Sequence, residues 1–132
     1  MAGHPKGTVL IVEDEPLIRM FIRDALEQGG YSTDEAGNAH QALEMLENDS
    51  YKAVLTDIGM PGDLSGLDLA LAVEMKWPEI GIVVTSGETL PAPNDLPPEA
   101  RFVAKPVQVD ILLQAVREVV GGPNNPKERA VK

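Results

Sequence analysis

Short apolar runs alternate along this chain with longer stretches in which apolar residues recur every three or four positions. A continuous apolar run is typical of a strand covered on both faces, whereas the wider spacing is typical of an amphipathic helix. The pattern predicts five strands, which cover residues 8–12, 31–36, 52–57, 80–86 and 102–105. It also predicts helices over 16–28, 39–46, 67–75 and the apolar positions of 111–120.

This alternation is typical of an α/β domain with a parallel sheet, because each helix carries the chain back to the edge where the previous strand began. We predict a doubly wound, flavodoxin-like fold whose five parallel strands follow the order 2-1-3-4-5. Pro16 is suited to open the first helix, with Asp14 or Glu15 as its cap. The pair Gly29–Gly30 is expected to end that helix.

The stretch 87–101, between the fourth and fifth strands, departs from the alternation. Its prolines lack N–H donors and bias the residues before them away from helix; they are Pro91, Pro93, Pro97 and Pro98. We therefore predict a Pro-rich loop where the alternation would otherwise put a fourth helix.

Composition narrows the class of protein. The chain has 132 residues, no cysteine and a formal net charge of −10. This length fits one domain at 8–120, with an N-terminal extension at 1–7 and a flexible tail at 121–132. The negative charge argues against a nucleic-acid partner. The chain shows neither a signal peptide nor an apolar run of about 20 residues, so we expect a cytoplasmic protein with no membrane partner.

Polar residues collect where the predicted strands end. Glu13 and Asp14 follow the first strand, Asp57 ends the third, and Lys105 ends the fifth. The fourth strand ends in Thr85–Ser86. Each residue alone also suits a plain role as a helix cap, a turn residue or a surface charge. The carboxyl ends of parallel strands meet at one edge of the sheet, however, and ligands of such sheets bind there.

Three carboxylates at one edge repel each other unless a cation compensates them. A hard divalent ion such as Mg²⁺, held by carboxylates, water and a phosphate, is the natural partner. An aspartate nucleophile beside a metal, faced by a lysine and a serine, suits phosphoryl transfer. The group of residues therefore predicts a magnesium-dependent phosphoryl site.

Four segments match, in order and spacing, the motifs of a known family. They are Val9–Glu15 (VLIVEDE), Leu55–Pro61 (LTDIGMP), Val84–Gly87 (VTSG) and Phe102–Pro106 (FVAKP). From about residue 8 to residue 120 the chain resembles a response-regulator receiver domain of two-component signalling. The resemblance implies a signalling phosphoacceptor, not an enzyme, whose partners are a sensor histidine kinase or histidine phosphotransferase and a downstream protein.

The resemblance also implies a role for each residue of the site. Asp57 is the expected phosphoacceptor, which takes its phosphoryl group from a phosphohistidine. Mg²⁺ is expected on Asp14 and Asp57 directly, on Glu13 through water, and on the backbone carbonyl of Gly59. Lys105 is expected to pair with the phosphoryl group.

The remaining roles concern the switch. The resemblance gives Ser86 the hydroxyl that moves toward the phosphoryl group, with Thr85 as the weaker candidate. Phe102 matches the switch aromatic, and a plain core role for it stays open. The Lys105–Pro106 peptide is expected to be cis.

The sequence defines less well which surfaces would contact a downstream protein and a kinase. The loop at 87–101 is expected to order on phosphorylation or partner binding. The first helix, with Arg19, Arg23 and Asp24 exposed, is a candidate kinase-docking face, and an ordinary solvated surface explains it equally well. The short sequence after residue 120 favours a stand-alone receiver that acts through protein contacts. A segment of a longer regulator or hybrid kinase would look the same.

Two alternative functions remain. A degenerate receiver would bind partners without phosphorylation. A phosphatase of the haloacid dehalogenase type would place a second aspartate two residues after its nucleophile, where this chain has Gly59.

Overall fold

The computed structural model describes residues 7–60, 62–87 and 95–121. Five strands and four helices lie in these residues, in the order β1 (Thr8–Val12), α1 (Pro16–Gln28), β2 (Ser32–Ala36), α2 (Ala39–Asn48), β3 (Ala53–Asp57), α3 (Gly66–Lys76), β4 (Gly81–Ser86), β5 (Arg101–Ala104) and α4 (Val109–Val120). Their bounds differ from the predicted ones by no more than two residues. The predicted elements are therefore confirmed. No helix within the described residues is long and apolar enough to cross a lipid bilayer.

The strands form one parallel sheet in the order β2-β1-β3-β4-β5, as predicted. The most apolar strands occupy its centre, where helices cover both faces. In the register of the sheet, Val12 on β1 lies beside Thr56 on β3. Asp57 on β3 lies beside Thr85 on β4. The carboxyl ends of three neighbouring strands thus meet at one edge.

The hydrophobic core lies in two layers, because successive residues of a strand point to opposite faces of the sheet. On the face covered by α2 and α3, here the α2–α3 face, the strands contribute Leu10, Val12, Val54, Ile82 and Val84. On the opposite α1–α4 face they contribute Val9, Ile11, Leu55, Val83 and Val103. The face on which a polar residue lies at the strand ends therefore follows from its position in this alternation.

The start of α1 differs from the prediction in one respect. Pro16 opens the helix and Glu15 occupies the N-cap, but its side chain makes no capping hydrogen bond. Instead the Glu15 N–H donates to the Glu13 carboxylate, 3.1 Å away. The predicted cap position is therefore confirmed for Glu15, but the side-chain hydrogen bond expected of a cap is not formed there, and the fully buried Glu13 carboxylate accepts from the N-cap N–H instead.

The connection between β4 and β5 contains no helix in its described residues, 87 and 95–100. Leu96 and Ala100 pack against the α2–α3 face. Residues 88–94, which carry the rest of the predicted Pro-rich loop, lie outside the described residues. The same holds for residues 1–6 of the predicted extension and 122–132 of the predicted tail.

Candidate functional site

Glu13, Asp14 and Asp57 come together at the carboxyl edge of the sheet. One carboxylate oxygen from each lies within 4.8 Å of those of the other two. The juxtaposition follows from topology, because β1 and β3 are neighbours and these residues stand at their ends. Glu13 is 0% exposed and Asp57 is 7% exposed, whereas Asp14 lies open to solvent. The cluster therefore has two buried carboxylates and one that solvent reaches.

Lys105, which follows the edge strand β5, closes the cluster from the β5 end of the sheet. Its Nζ donates to Glu13 Oε1 and to Asp57 Oδ2, each at 3.0 Å. Burial lowers the pKa of the Lys105 ammonium, but the hydrogen bonds to both carboxylates outweigh this effect and the pKa is raised overall. Lys105 is therefore charged at neutral pH.

The protonation of Glu13 reflects opposing influences. Burial raises the pKa of its carboxyl, although the Glu15 N–H and the Lys105 ammonium favour the charged form. Nearby Asp57 raises the Glu13 pKa further by charge repulsion. Ionised Glu13 is therefore costly to hold in this position without more positive charge.

The donor set fits a hard divalent cation. Three carboxylates carry three negative charges when ionised and meet one ammonium, which leaves about two charges uncompensated. Carboxylate oxygens at this spacing, one of them open to solvent, suit Mg²⁺, which keeps several waters when bound. Gly59 lies in the loop after β3, where its N–H donates to Asp57 Oδ1 at 2.9 Å. Its carbonyl as a metal ligand stays a prediction.

Ser86 and Thr85 end β4 on opposite faces of the sheet. Ser86 alternates with Val84 and so lies on the α2–α3 face, where half-buried Phe102 also packs. Thr85 alternates with Val83 and so lies on the α1–α4 face, beside Asp57 in register. Ser86 therefore shares a layer with the predicted switch aromatic, and Thr85 shares one with the Asp57 carboxylate.

Sequence reasoning missed the role of Arg19, which it took for an exposed docking residue. The Arg19 guanidinium donates to the Glu13 backbone carbonyl at 2.8 Å and to Glu35 Oε1 at 3.0 Å. Its side chain is only 24% exposed. Arg23 and Asp24, in contrast, pair with each other at the surface. Arg19 anchors the acidic β1–α1 loop, a role that helical spacing alone does not reveal.

Gly66 was also missed, although the sequence shows a glycine at the start of α3. A Cβ at this position would overlap the backbone carbonyl oxygen of Asp57. The first turn of α3, which Ser65 and Asp68 close with a reciprocal capping box, therefore packs directly against the Asp57 backbone. Only glycine permits this approach.

A shallow apolar cavity of about 380 Å³ lies next to Lys105. It is lined by residues of α1 and of the loop after β5, namely Leu17, Ile18, Phe21, Lys105, Pro106 and Val107. Leu17 is 77% exposed and Phe21 is 44% exposed. The Lys105–Pro106 peptide bond in this loop is cis. The site thus has an apolar border on one side.

Comparison with known proteins gives a consistent result. A model of the response regulator receiver domain matches residues 9–117. The response regulator receiver protein CpdR of Brucella abortus (strain 2308) is 30% identical over 115 residues, which cover 85% of this chain and 95% of CpdR. Sensor kinase CckA of the same organism is 33% identical over 119 residues, which cover 86% of this chain but 12% of the kinase.

Solved structures agree on the fold. A response regulator receiver protein from Sinorhizobium medicae WSM419 superposes with a TM-score of 0.80 at 23% identity. The match covers 86% of this chain and 93% of that one. A CheY-like receiver domain protein from Methanospirillum hungatei JF-1 gives a TM-score of 0.79 at 26% identity, over 92% of this chain and 97% of that one.

Proposed function

Because this chain belongs to the response regulator receiver family of two-component signalling, we propose that Asp57 accepts a phosphoryl group from the phosphohistidine of a sensor histidine kinase or a histidine phosphotransferase. The observation that carries the proposal is the contact of Asp57 with both Lys105 and the other carboxylates at an edge open to solvent. A solvated surface cluster would not bury Glu13 completely. The domain is thus a signalling module whose state is set by one carboxylate.

In the proposed transfer, an Asp57 carboxylate oxygen forms an O–P bond while the P–N bond to the donor imidazole breaks and the imidazole leaves. Asp57 is pre-aligned for this attack, because the Gly59 N–H holds one of its oxygens and Lys105 holds the other. The Lys105 ammonium neutralises charge on the phosphoryl oxygens. Asp14, Asp57 and the Gly59 carbonyl would hold Mg²⁺ directly and Glu13 would hold it through water, and the bound ion would supply further neutralisation.

We propose that the response runs through Ser86 and Phe102. A phosphoryl group adds up to two negative charges and three strong acceptors at the sheet edge. The Ser86 hydroxyl donates to one of these acceptors. Its movement opens space on the α2–α3 face, where Phe102 packs. The phosphorylated domain thereby favours a second arrangement of this layer, which a downstream protein reads.

The phosphodonor is proposed to dock on α1. Exposed Leu17 and Phe21 border the apolar cavity beside Lys105, so a protein seated there is close to Asp57. Exposed apolar side chains next to a reactive carboxylate support a protein partner better than a small-molecule one. Arg23 and Asp24 add a polar rim.

The test is intact-mass analysis of the protein after incubation with acetyl phosphate and Mg²⁺. We expect one added phosphoryl group, which is lost when Mg²⁺ is omitted and in Asp57→Asn. Asp63→Asn is the matched control, because Asp63 is an exposed carboxylate of the next loop outside the cluster, and it should be phosphorylated normally. A folded protein that takes no phosphoryl group under any condition would contradict the proposal and favour a phosphate-independent binding module.

A further inference from the structure

Thr85 stands between the acceptor carboxylate and the strand that carries the site's lysine. Its register partners are Asp57 on β3 and Val103 on β5, and all three side chains lie on the α1–α4 face. Lys105 follows β5 two residues after Val103, yet its Nζ reaches Asp57 on β3. Since β4 lies between these strands, the Lys105 side chain crosses β4. It passes Gly87, where a Cβ would lie 3.5 Å from Lys105 Cβ and 3.6 Å from Lys105 Cδ. Gly87 follows Thr85 by two residues and so lies on the same face of the sheet.

The Thr85 hydroxyl has no hydrogen bond that would explain its place in the core. The residue is 0% exposed, and its Oγ1 has no hydrogen-bond partner among the described residues. A buried hydroxyl without a partner destabilises a fold, whereas valine fills nearly the same volume without that cost. The neighbouring Val83 and Val103 make valine the residue that packing alone favours. Such unsatisfied groups are rare and need a specific explanation.

We propose that Thr85 is a positioning residue for Lys105 when a phosphoryl group arrives on Asp57, an inference that rests on the proposed function. Before transfer, the Lys105 ammonium is held by Glu13 and Asp57. The phosphoryl oxygens draw the ammonium away from these carboxylates. Lysine has three N–H donors, and Thr85 Oγ1 accepts one of them once this shift occurs. The hydroxyl thereby holds the ammonium against the phosphoryl group.

This role is separate from that of Ser86. The two hydroxyls are adjacent in sequence but lie on opposite faces of the sheet. Ser86 lies with Phe102 on the face assigned to the switch, whereas Thr85 lies with Asp57 on the other face. Removal of the Thr85 hydroxyl should therefore alter phosphoryl transfer without removing the hydroxyl assigned to the switch.

The first test measures how fast acetyl phosphate with Mg²⁺ phosphorylates Asp57, followed by intact mass. One hydrogen bond gained during transfer predicts that Thr85→Val is phosphorylated about 2- to 10-fold more slowly than wild type. Thr85→Ser, which keeps the hydroxyl, should restore the wild-type rate. In a Lys105→Ala background, Thr85→Val should cause no further slowing, because the two residues act as one unit. Equal slowing in both backgrounds would refute Lys105 as the partner.

The second test is thermal unfolding of the unphosphorylated protein in EDTA. Thr85→Val should melt at or above the wild-type temperature, since it removes an unpaired polar group. Thr56→Val is the matched control, because the buried Thr56 hydroxyl donates to the Asp57 carbonyl and its loss should lower the melting temperature. Thr85→Val melting below wild type would show an existing partner and overturn the inference.

The two tests also separate this inference from the proposed function. Wild-type protein that is phosphorylated normally, together with Thr85→Val at the same rate, overturns the role of Thr85 alone. Wild-type protein that accepts no phosphoryl group overturns both.

Discussion

Replacing Lys105 by methionine tests whether the carboxylate cluster depends on positive charge. The substitution keeps most of the apolar stem of the side chain and removes two 3.0 Å contacts, with Glu13 and Asp57. Breaking a buried ion pair on one side typically costs ~3–5 kcal/mol, because the partner charge stays buried. The lower end applies here, since the Lys105 side chain is 17% exposed. We therefore expect a loss of about 3 kcal/mol in the free energy of unfolding.

The assay is urea unfolding in EDTA and again with saturating Mg²⁺. In thermal unfolding of a chain of this length, the same loss of about 3 kcal/mol would lower the melting temperature by about 10 °C. Mg²⁺ should recover most of the loss, because a bound cation compensates the same carboxylates and stabilises the folded state by mass action. Lys76→Met is the matched control. Its pair with Glu47 is exposed, so its loss should cost about 0–1 kcal/mol regardless of Mg²⁺.

The pH dependence of the same variant has a definite sign. Burial raises the pKa of Glu13, so the folded protein binds that proton more tightly than the unfolded chain does. Ionised Glu13 therefore costs stability at neutral pH, and protonation relieves the cost as pH falls through the raised pKa. The difference in unfolding free energy between Lys105→Met and wild type should consequently shrink toward acidic pH. The reasoning would be refuted if Lys105→Met were as stable as wild type in EDTA at neutral pH. It would also be refuted if Mg²⁺ left the difference in unfolding free energy between the two proteins unchanged.

Two further variants probe residues that support the site, and a third probes the ion pair of Glu118 on α4 with Arg101 on β5. Gly66→Ala should lower the unfolding free energy by at least about 2 kcal/mol in urea titrations, because its Cβ overlaps the Asp57 backbone; Gly37→Ala, whose Cβ would come no closer than 3.6 Å to its neighbours, should resemble wild type. Arg19→Ala should lower the free energy of unfolding by about 1–2 kcal/mol and weaken Mg²⁺ binding measured by calorimetry. Arg23→Ala, which removes only an exposed ion pair, should lower the free energy of unfolding by about 0–1 kcal/mol and leave Mg²⁺ binding unchanged. Hydrogen bonds from Gln114 and then Arg101 lower the pKa of Glu118, so its contribution is present above the ordinary value near 4.5 and is lost as pH falls through the lowered pKa. Acid unfolding of Glu118→Gln should therefore differ from wild type above that range and converge with it below.

The fold was accessible from the sequence because the periodicity of each element is strong. Continuous apolar runs such as Val9–Val12 require cover on both faces, which an α/β sheet with helices on each side provides. The prolines of the β4–β5 connection argued against a helix, and its described residues contain none. The hydrogen bond from the Glu15 N–H to the Glu13 carboxylate at the start of α1 was not predictable, because it depends on where this buried side chain points.

The candidate site was accessible for a related reason. Residues at the carboxyl ends of neighbouring parallel strands must be close, so Glu13, Asp57 and Lys105 could be grouped before any distance was known. Gly66 and Arg19 could not, since one depends on how closely α3 approaches β3 and the other on a side chain that folds back from α1. Neither leaves a local pattern in the sequence.

The register of β4 decides which of two adjacent hydroxyls serves which purpose. A shift of one residue would place Thr85 with Phe102 and Ser86 with Asp57, because side chains alternate between the two faces. The observed pairing of Asp57 with Thr85 and of Ser86 with Ala104 excludes that exchange. The same pairing puts the buried Thr85 hydroxyl, which has no hydrogen-bond partner among the described residues, beside the Asp57 carboxylate. A serine or threonine at the end of this strand is therefore assigned by its face, since sequence adjacency alone leaves both residues as candidates for the same role.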